Sequence, residues 1–211
     1  MNAPRGGEVH SHAHPEQGAA SAPAPASSSA PAPAAAASGG LRGLVVTASN
    51  RAARGVYPDK GGPLLAGGLQ ELGFAVDGPR VVPDGDPVEQ ALREGVAAGY
   101  DVILTTGGTG ISPTDRTPDA TARVIDYQVP GIPEAIRAES LAHVPTAALS
   151  RGLAGVAGRT LIVNLPGSTG GVRDGLAVLS RILPHAVDQI RGGDHPGPPA
   201  GAPAGPSGSE S

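Results

Sequence analysis

Residues 102–118 read VILTTGGTGISPTDRTP, an apolar run followed by a glycine-rich loop and a helix start. The run at residues 102–104 is short and aliphatic, which is typical of a strand buried in a parallel sheet. The three glycines that follow let the backbone approach an anion closely, and the positive end of the next helix dipole adds to the attraction. We expect that helix to have Thr117 as its cap and Pro118 in its first turn. The segment predicts a strand, a phosphate-binding loop and a helix; a plain glycine turn is the alternative.

The same alternation of apolar runs and helical stripes extends on both sides of this segment. Three further candidate strands, each expected to be covered on both faces, are residues 44–47, residues 75–76 with 81–82, and residues 160–163. Leucines and valines recur at helical spacing after Leu65, Val88 and Val172, and Pro184 is expected to kink the last helix. Strands that alternate with helices are typical of βαβ units. The pattern therefore predicts an α/β fold with a mostly parallel sheet.

The two ends of the chain lack the residues that build a core. Residues 1–40 contain no Leu, Ile, Phe, Tyr or Trp and run through Ala-Pro repeats, and residues 192–211 are rich in Gly, Pro and Ser. Such segments bury too little apolar surface to offset the entropy of ordering. We therefore expect disordered tails around one folded domain at residues 41–191. His10, His12 and His14 fall in the first tail, where metal capture would be incidental.

Composition excludes several classes of function. A net charge of −4 and an aromatic content of 2% provide neither a basic track nor stacking platforms, so we expect no nucleic-acid partner. The chain has no Cys, which excludes disulfides and thiolate metal sites. We also expect no membrane span, since no segment reaches the roughly 20 apolar residues that one needs. The N-terminus is a poor secretory signal, and we predict a cytoplasmic protein.

Ligands of open parallel sheets bind beyond the carboxyl ends of the strands. Besides the loop at residues 105–118, two other loops follow predicted strands. In the loop at residues 83–87, Asp86 is expected to cap the next helix, which leaves Asp84 without a structural role. The loop at residues 164–171 is again made of small residues that lead into a helix. Together the three loops predict a ligand site at one edge of the sheet.

The residues of these loops carry a resemblance to a known family. Seven segments carry it in order: 46–51 (VTASNR), 55–59 (GVYPD), 82–84 (VPD), 105–121 (TTGGTG, with Asp115 and TPDAT), 129–131 (VPG), 149–151 (LSR) and 164–168 (NLPGS). Through these segments the chain resembles the MogA/MoaB family of molybdenum cofactor biosynthesis proteins, whose domain recurs in gephyrin and in molybdenum-insertion enzymes. The resemblance covers residues 43–191.

The resemblance implies a three-layer αβα domain, usually a homotrimer, that binds molybdopterin and Mg-ATP. The implied enzyme is a molybdopterin adenylyltransferase, which transfers AMP to the phosphate of molybdopterin and releases pyrophosphate. By position, the resemblance implies that Asp84, Asp115 and Ser150 are catalytic. Asp84 and Asp115 would also hold Mg²⁺, which is commonly bound by one or two carboxylates plus substrate phosphates. The residues that would bind substrate or nucleotide are Thr106, Gly107, Gly108, Thr109, Gly110, Asn164, Pro166, Gly167 and Ser168.

Simpler explanations exist for single residues and for the whole chain. By residue type alone, Asp115 is as well explained by a turn, and Ser150 by a local hydrogen bond. Arginines beside the loops could pair with phosphates or be surface charges, and they are not included in the site. The strongest alternative function is a non-catalytic molybdopterin-binding or scaffold protein, because a fold can persist as a binder. A molybdenum-insertion or nucleotide-processing enzyme that shares this domain is a second alternative. The molybdenum-insertion enzyme is also an expected partner. The sequence does not distinguish molybdenum from tungsten, or a trimer from a hexamer.

Overall fold

The computed structural model describes residues 40–193. Apart from residues 40, 192 and 193, the tails predicted to be disordered, with His10, His12 and His14, lie outside the described residues. The elements in chain order are β1 (Arg42–Ala48), α1 (Gly61–Glu71), β2 (Ala75–Val82), α2 (Asp86–Ala97), β3 (Val102–Thr106), α3 (Thr117–Ala122), β4 (Tyr127–Gln128), α4 (Gly131–Leu141), a 3-10 helix (Pro145–Leu149), β5 (Ala154–Ala157), β6 (Thr160–Leu165) and α5 (Thr169–Arg191).

The strands form one six-stranded sheet in the order β2-β1-β3-β6-β5-β4. The first four strands of this order run parallel, while β5 pairs antiparallel with β6 and β4 pairs antiparallel with β5. The carboxyl ends of β2, β1, β3 and β6 therefore lie along one edge of the sheet. The prediction of a mostly parallel α/β sheet is confirmed.

Helices cover both faces of the sheet. Successive residues of a strand point to opposite faces, and in β1 Val45 packs in one buried cluster while Leu44 and Val46 pack in another. The first cluster includes apolar residues of α1, α4 and α5, and the second includes residues of α2 and α3. The three-layer αβα arrangement implied by the resemblance is confirmed. No helix among residues 40–193 is long and apolar enough to cross a membrane.

One expectation about the strands was wrong, and two strands were missed. The runs at residues 75–76 and 81–82 belong to one strand, β2, which passes through Gly78 and Pro79 with a shift in its pairing to β1. This strand is at the edge of the sheet and largely exposed, so the expectation that it is covered on both faces was wrong. β4 and β5 were not predicted, because one is two residues long and the other is made mainly of Ala and Gly.

The expected helix caps also differ from the observed ones. Thr117 is the first residue of α3 and not its cap, and its hydroxyl donates to Asp84 Oδ1 at 3.2 Å. Asp86 is the first residue of α2 and pairs with Arg123 at 3.5 Å, so it does not cap that helix either. Helix α5 continues through Pro184 to Arg191. Thr117 therefore orients the Asp84 carboxylate by a hydrogen bond. The sequence had suggested no structural contact for Asp84.

Candidate active site

The loops at the carboxyl edge of the sheet surround a cavity of about 500 Å³. It lies between the segment that follows β1 and the loops that follow β2, β3 and β6. We call it the first cavity; among its lining residues are Thr47, Ser49, Asn50, Arg51, Tyr57, Asp59, Lys60, Asp84, Thr106, Gly107, Gly108, Asp115 and Gly167. The ligand site predicted at this edge therefore has a cavity large enough for a nucleotide-sized molecule.

The glycine loop after β3 adopts a backbone that requires glycine. Gly107 and Gly108 have φ angles of 93° and 62°, in the region that side chains disfavour. A Cβ at Gly107 would collide with the Ala48 carbonyl oxygen, and a Cβ at Gly108 would collide with the Asp84 carboxylate. The loop therefore lies tightly against β1 and against Asp84, with its peptide groups at the wall of the cavity.

Hydrogen bonds to the end of β6, the loop after it and Arg151 hold the glycine loop in place. Gly107 N–H donates to the Leu165 carbonyl at 3.2 Å, and the Thr106 hydroxyl donates to the Pro166 carbonyl at 2.8 Å. Arg151 donates to the carbonyl oxygens of Gly110 (2.9 Å) and Asp115 and pairs with Asp119 at 3.2 Å. Sequence reasoning left Arg151 outside the site, with phosphate pairing and a surface charge both open. In the structure it bonds the backbone of the loop at Gly110 and at Asp115, so it positions residues that face the cavities.

Asp84 is half-buried beside the glycine loop. Its Oδ1 accepts hydrogen bonds from the Gly85 N–H at 2.7 Å and from the Thr117 hydroxyl. Burial raises the pKa of Asp84, and the nearby charge of Asp115 raises it further, whereas the hydrogen bonds from Arg116, Gly85 and Thr117 oppose this shift. A cation bound in the cavity would favour the ionised carboxylate of Asp84 and so oppose the raised pKa.

The raised pKa of Asp84 predicts how stability changes with pH. A carboxyl whose folded pKa is raised stabilises the fold fully below its unfolded pKa, about 3.9, and this contribution is lost as pH rises through the folded value. Asn does not ionise, so Asp84→Asn avoids that loss. We expect the Tm of this variant, relative to the wild type, to rise from about pH 4 to about pH 7 in metal-free buffer. Thermal melts at the two pH values measure it; a difference that stays constant or falls would contradict the assignment.

Asp115 lies near the end of the glycine loop, just before α3 begins. Its Oδ2 accepts the Ser112 N–H at 3.0 Å, and the side chain is half-buried. Asp115 lines the first cavity and also a second cavity of about 390 Å³. The two cavities share Gly108, Asp115 and Gly167, so they adjoin at the glycine loop.

The second cavity lies between the glycine loop, the 3-10 helix and the helices α4 and α5. Ser150 lines it, with its Oγ accepting the Gly152 N–H at 3.3 Å. Val144 and Leu149 add exposed apolar side chains to the wall. The remaining lining residues are Gly108, Thr109, Gly110, Asp115, Ser140, Thr146, Ala147, Pro166, Gly167, Ser168, Gly171 and Asp174.

The structure brings together all but one of the residues expected to contact ligand. Each of the others lines the first cavity, the second or both. Asn164 lines neither: it is 2% exposed, and its amide donates to Thr105 at 3.1 Å and to Thr121 at 2.9 Å. Its oxygen accepts the Leu153 N–H. The structure therefore gives the Asn164 side chain a structural role beneath the loop, and its expected contact with substrate stays a prediction.

Sequence reasoning missed several residues of the first cavity. Arg51 and Lys60 are exposed cations in its wall, and the Arg51 guanidinium lies 5.8 Å from the centre of the Tyr57 ring. Asp59 accepts the Thr47 hydroxyl at 2.7 Å and the Gly62 N–H at 3.0 Å, which fixes the start of α1. Except for Lys60, which directly follows the second segment, these cavity residues lie in the segments 46–51 and 55–59 that carried the resemblance, and this was the signal that could have identified them.

The fold and the site define an α/β protein with two adjoining cavities that meet at a glycine-rich loop, at the carboxyl edge of its sheet. Residues 44–185 match the family model described as "Probable molybdopterin binding domain". The chain belongs to this family, and within it to the MogA/MoaB family of molybdenum cofactor biosynthesis proteins, as the resemblance in sequence predicts.

Relatives of known identity support this assignment. The chain is 39% identical over 155 residues to the molybdopterin adenylyltransferase of Helicobacter pylori strain J99, a match that covers 70% of this chain and 86% of that protein. It is 41% identical over 150 residues to the Drosophila melanogaster molybdenum cofactor synthesis protein cinnamon, where the match covers 69% of this chain and only 25% of the longer protein. The molybdopterin biosynthesis Mog protein from Mycobacterium ulcerans has the same fold, with 52% identity and a TM-score of 0.70 over 74% of this chain and 99% of that one.

Proposed function

We propose that this chain transfers AMP from ATP to the phosphate of molybdopterin and releases pyrophosphate, a step of molybdenum cofactor biosynthesis. The observation that carries the proposal is the pair of cavities that meet at Gly108, Asp115 and Gly167. Two substrates held on either side of this junction would have their phosphates next to each other. The activity named for the Helicobacter pylori relative, which this chain matches over most of its length, supports the same reaction.

The first cavity suits the nucleotide. Arg51 and Lys60 provide positive charge for a triphosphate, and the exposed Tyr57 ring provides a flat apolar surface. Helix α1 begins at Gly61, also in the wall of this cavity, so the positive end of its dipole adds to the attraction. We therefore assign ATP to the first cavity.

The second cavity suits the pterin. Val144 and Leu149 offer apolar surface for a flat heterocycle, while the glycine loop offers peptide N–H groups for a phosphate. Ser150 lies in the same wall and could donate its hydroxyl hydrogen to the substrate, since its oxygen already accepts from Gly152. We therefore assign molybdopterin to the second cavity, with its phosphate at the junction.

In the proposed reaction, a phosphate oxygen of molybdopterin attacks the α-phosphorus of ATP. The bond from that phosphorus to the oxygen bridging the β-phosphate breaks, and pyrophosphate leaves with the electron pair. The nucleophile is already an anion, so the protein needs no strong base and contributes position and charge stabilisation. The rigid glycine loop, held by Arg151 and by the Thr106 and Gly107 hydrogen bonds, supplies that position.

The carboxylates of the first cavity fit a magnesium ion. Asp84 and Asp115 line the same cavity, and the charge of Asp115 contributes to the raised pKa of Asp84. Among residues 40–193, no group of three or more His, Asp or Glu side chains forms a metal cage. One or two carboxylates completed by substrate phosphates are the usual protein ligands of Mg²⁺. Bound there, the ion would neutralise charge on the phosphates of the transition state.

The alternative of a non-catalytic binder or scaffold is not favoured, because the residues of both cavities are present and the named activity of the Helicobacter pylori relative is catalytic. A homotrimer, a cytoplasmic location and hand-over to a molybdenum-insertion enzyme stay predictions.

Incubation of the purified full chain with Mg-ATP and molybdopterin tests the proposal. We expect adenylylated molybdopterin and one pyrophosphate per product, measured by mass spectrometry and by a pyrophosphate assay. A wild-type protein that binds molybdopterin but forms no product would replace the proposed enzyme with the scaffold alternative.

Ser150→Ala should lower the turnover of this reaction by at least about tenfold, the effect of one hydrogen bond to a charged group. The variant loses only the 3.3 Å hydrogen bond to Gly152 within the protein. We therefore expect the free energy of unfolding to change by no more than about 1 kcal/mol. Steady-state rates and denaturant unfolding measure the two quantities. Equal proportional losses of stability and activity would assign Ser150 a structural role.

A further inference from the structure

We propose that Asp174, oriented by Ser140, recognises the 2-amino and N3–H edge of the pterin ring in the second cavity. The proposal rests on the assignment of molybdopterin to that cavity and deepens it by naming the residue that selects the ring. Neither residue follows a strand or belongs to a segment that carried the resemblance, so sequence reasoning gave them no role.

Asp174 is a carboxylate with an available oxygen in the wall of the second cavity. It lies on α5, and its Oδ2 accepts the hydroxyl of Ser140 on α4 at 2.8 Å. Ser140 is 5% exposed, so the donor that fixes the carboxylate is itself packed in place. Within the described part of the chain, Asp174 has no ion-pair partner and its Oδ1 has no hydrogen-bond partner. The structure thus holds a half-buried carboxylate in one orientation and leaves one of its oxygens unpaired.

A carboxylate of this kind selects a ligand by its pattern of donors. A pterin presents two adjacent donors on its pyrimidine ring, the N3–H and the 2-amino group, and an ionised carboxylate accepts both in parallel. A lumazine, the pteridine with an oxygen at position 2, presents one donor and one acceptor at the same edge. Its oxygen would face the carboxylate and repel it. Asp174 therefore favours a 2-aminopteridine over a 2-oxopteridine.

The wall around Asp174 suits this orientation of the ring. The glycine loop follows β3, whereas Ser140 lies on α4 and Asp174 on α5, so the phosphate and the pyrimidine edge would meet different elements. In molybdopterin the phosphate is attached on the side of the ring system away from the pyrimidine edge. A ligand with its phosphate on the loop amides can therefore direct that edge toward the helices.

The substitution Asp174→Asn tests the proposal, because it should shift the binding preference from the pterin toward the lumazine. Asn keeps the shape of Asp but offers one acceptor and one donor, which match N3–H and the 2-oxygen of a lumazine. The probes are the phosphate monoesters of 6-hydroxymethylpterin and of 6-hydroxymethyllumazine, titrated without ATP and followed by their own fluorescence. We expect wild type to bind the pterin ester at least about tenfold more tightly, and Asp174→Asn to lose about 10- to 100-fold of pterin affinity while gaining affinity for the lumazine ester.

Two further variants separate recognition from support of the fold. Asp188→Asn changes an exposed carboxylate of the same helix and should leave both Kd values unchanged. Ser140→Ala keeps the Asp174 carboxylate but removes the hydroxyl that orients it. Ser140→Ala should weaken binding of the pterin ester but not of the lumazine ester. This variant tests the assignment even if Asp174→Asn does not fold.

Several results would overturn the proposal. A wild type without preference for the pterin ester, or an Asp174→Asn variant that changes both affinities equally or not at all, would reduce the Ser140–Asp174 contact to a tie between two helices. Adenylyl transfer to molybdopterin by the wild type is measured beside these titrations. If the wild type transfers AMP but Asp174→Asn does not shift the ligand preference, only the role of Asp174 is wrong. If the wild type does not transfer AMP, the proposed enzymatic function is wrong.

Discussion

Asp115→Asn should lower metal-dependent adenylyl transfer by at least about a hundredfold, because removing one charge-stabilising group from a transferring phosphate commonly has that effect. Asp115 borders both cavities, so its charge acts where the two phosphates would meet. Asn keeps the size of the side chain and an oxygen for the Ser112 N–H, and folding should survive. Asp84→Asn should also lower the rate strongly. Initial rates of product formation at fixed magnesium measure both effects.

Controls keep this prediction specific. Asp86 is two residues from Asp84, but its side chain is 96% exposed and reaches only Arg123, so Asp86→Asn should keep the wild-type rate. Molybdopterin binding without ATP should change little in Asp84→Asn and Asp115→Asn, because the pterin phosphate is proposed to rest on loop amides. Near wild-type transfer by both variants at the same magnesium concentration would show that the assigned carboxylates are not the metal site.

Gly107→Ala should destabilise the fold by about 3 kcal/mol and lower the Tm by roughly 10 °C, since backbone strain and overpacking each commonly cost 1–3 kcal/mol. The φ angle of 93° is unfavourable for alanine, and the new methyl group would press on the Ala48 carbonyl oxygen. Relief of this contact would move the glycine loop away from β1. Adenylyl transfer should therefore fall as well, even in preparations that remain folded at assay temperature.

Gly170→Ala is the matched control for Gly107→Ala. Gly170 is exposed in the first turn of α5, has no positive φ, and a Cβ there would meet no other heavy atom within 4 Å. Alanine is favoured over glycine in a helix, so this variant should be as stable as wild type or slightly more so. Thermal melts of the two variants test the pair. Equal Tm values would show that the glycine loop is not held as tightly as its contacts indicate.

The strands that could be predicted from the sequence are those with a continuous run of aliphatic side chains. The runs in β1, β3 and β6 are aliphatic because helices cover both faces of these central strands. β5 lacks such a pattern because small residues are needed there: a Cβ at Gly155 would collide with Ile125 and with the Tyr127 carbonyl. Pairing with β6 and β4, which is a tertiary effect, makes this segment a strand.

In the candidate site, too, some residues could be predicted from the sequence and others are identified only by the fold. The glycine loop, Asp84 and Asp115 follow strands, and the resemblance assigned them to a site that the structure places at one edge of the sheet. Arg151 and Asp174 are charged residues whose types and positions are equally typical of a solvated surface. Only the folded chain places Arg151 behind the loop and Asp174 beside Ser140. The burial of Asn164 could not be predicted either, since a polar residue in a loop motif is usually exposed, whereas here it is buried beneath the loop.

The edges of the sheet also determine how copies of this chain can associate. β2 forms one edge, where the pairing register shifts, Pro79 has no N–H to donate and the charged Asp77 and Arg80 are exposed. β4 forms the other edge and is only two residues long. Such edges are poor templates for an incoming strand. Residues 40–193 are therefore protected against edge-to-edge aggregation, and any oligomer built from them is expected to form through helix and loop surfaces.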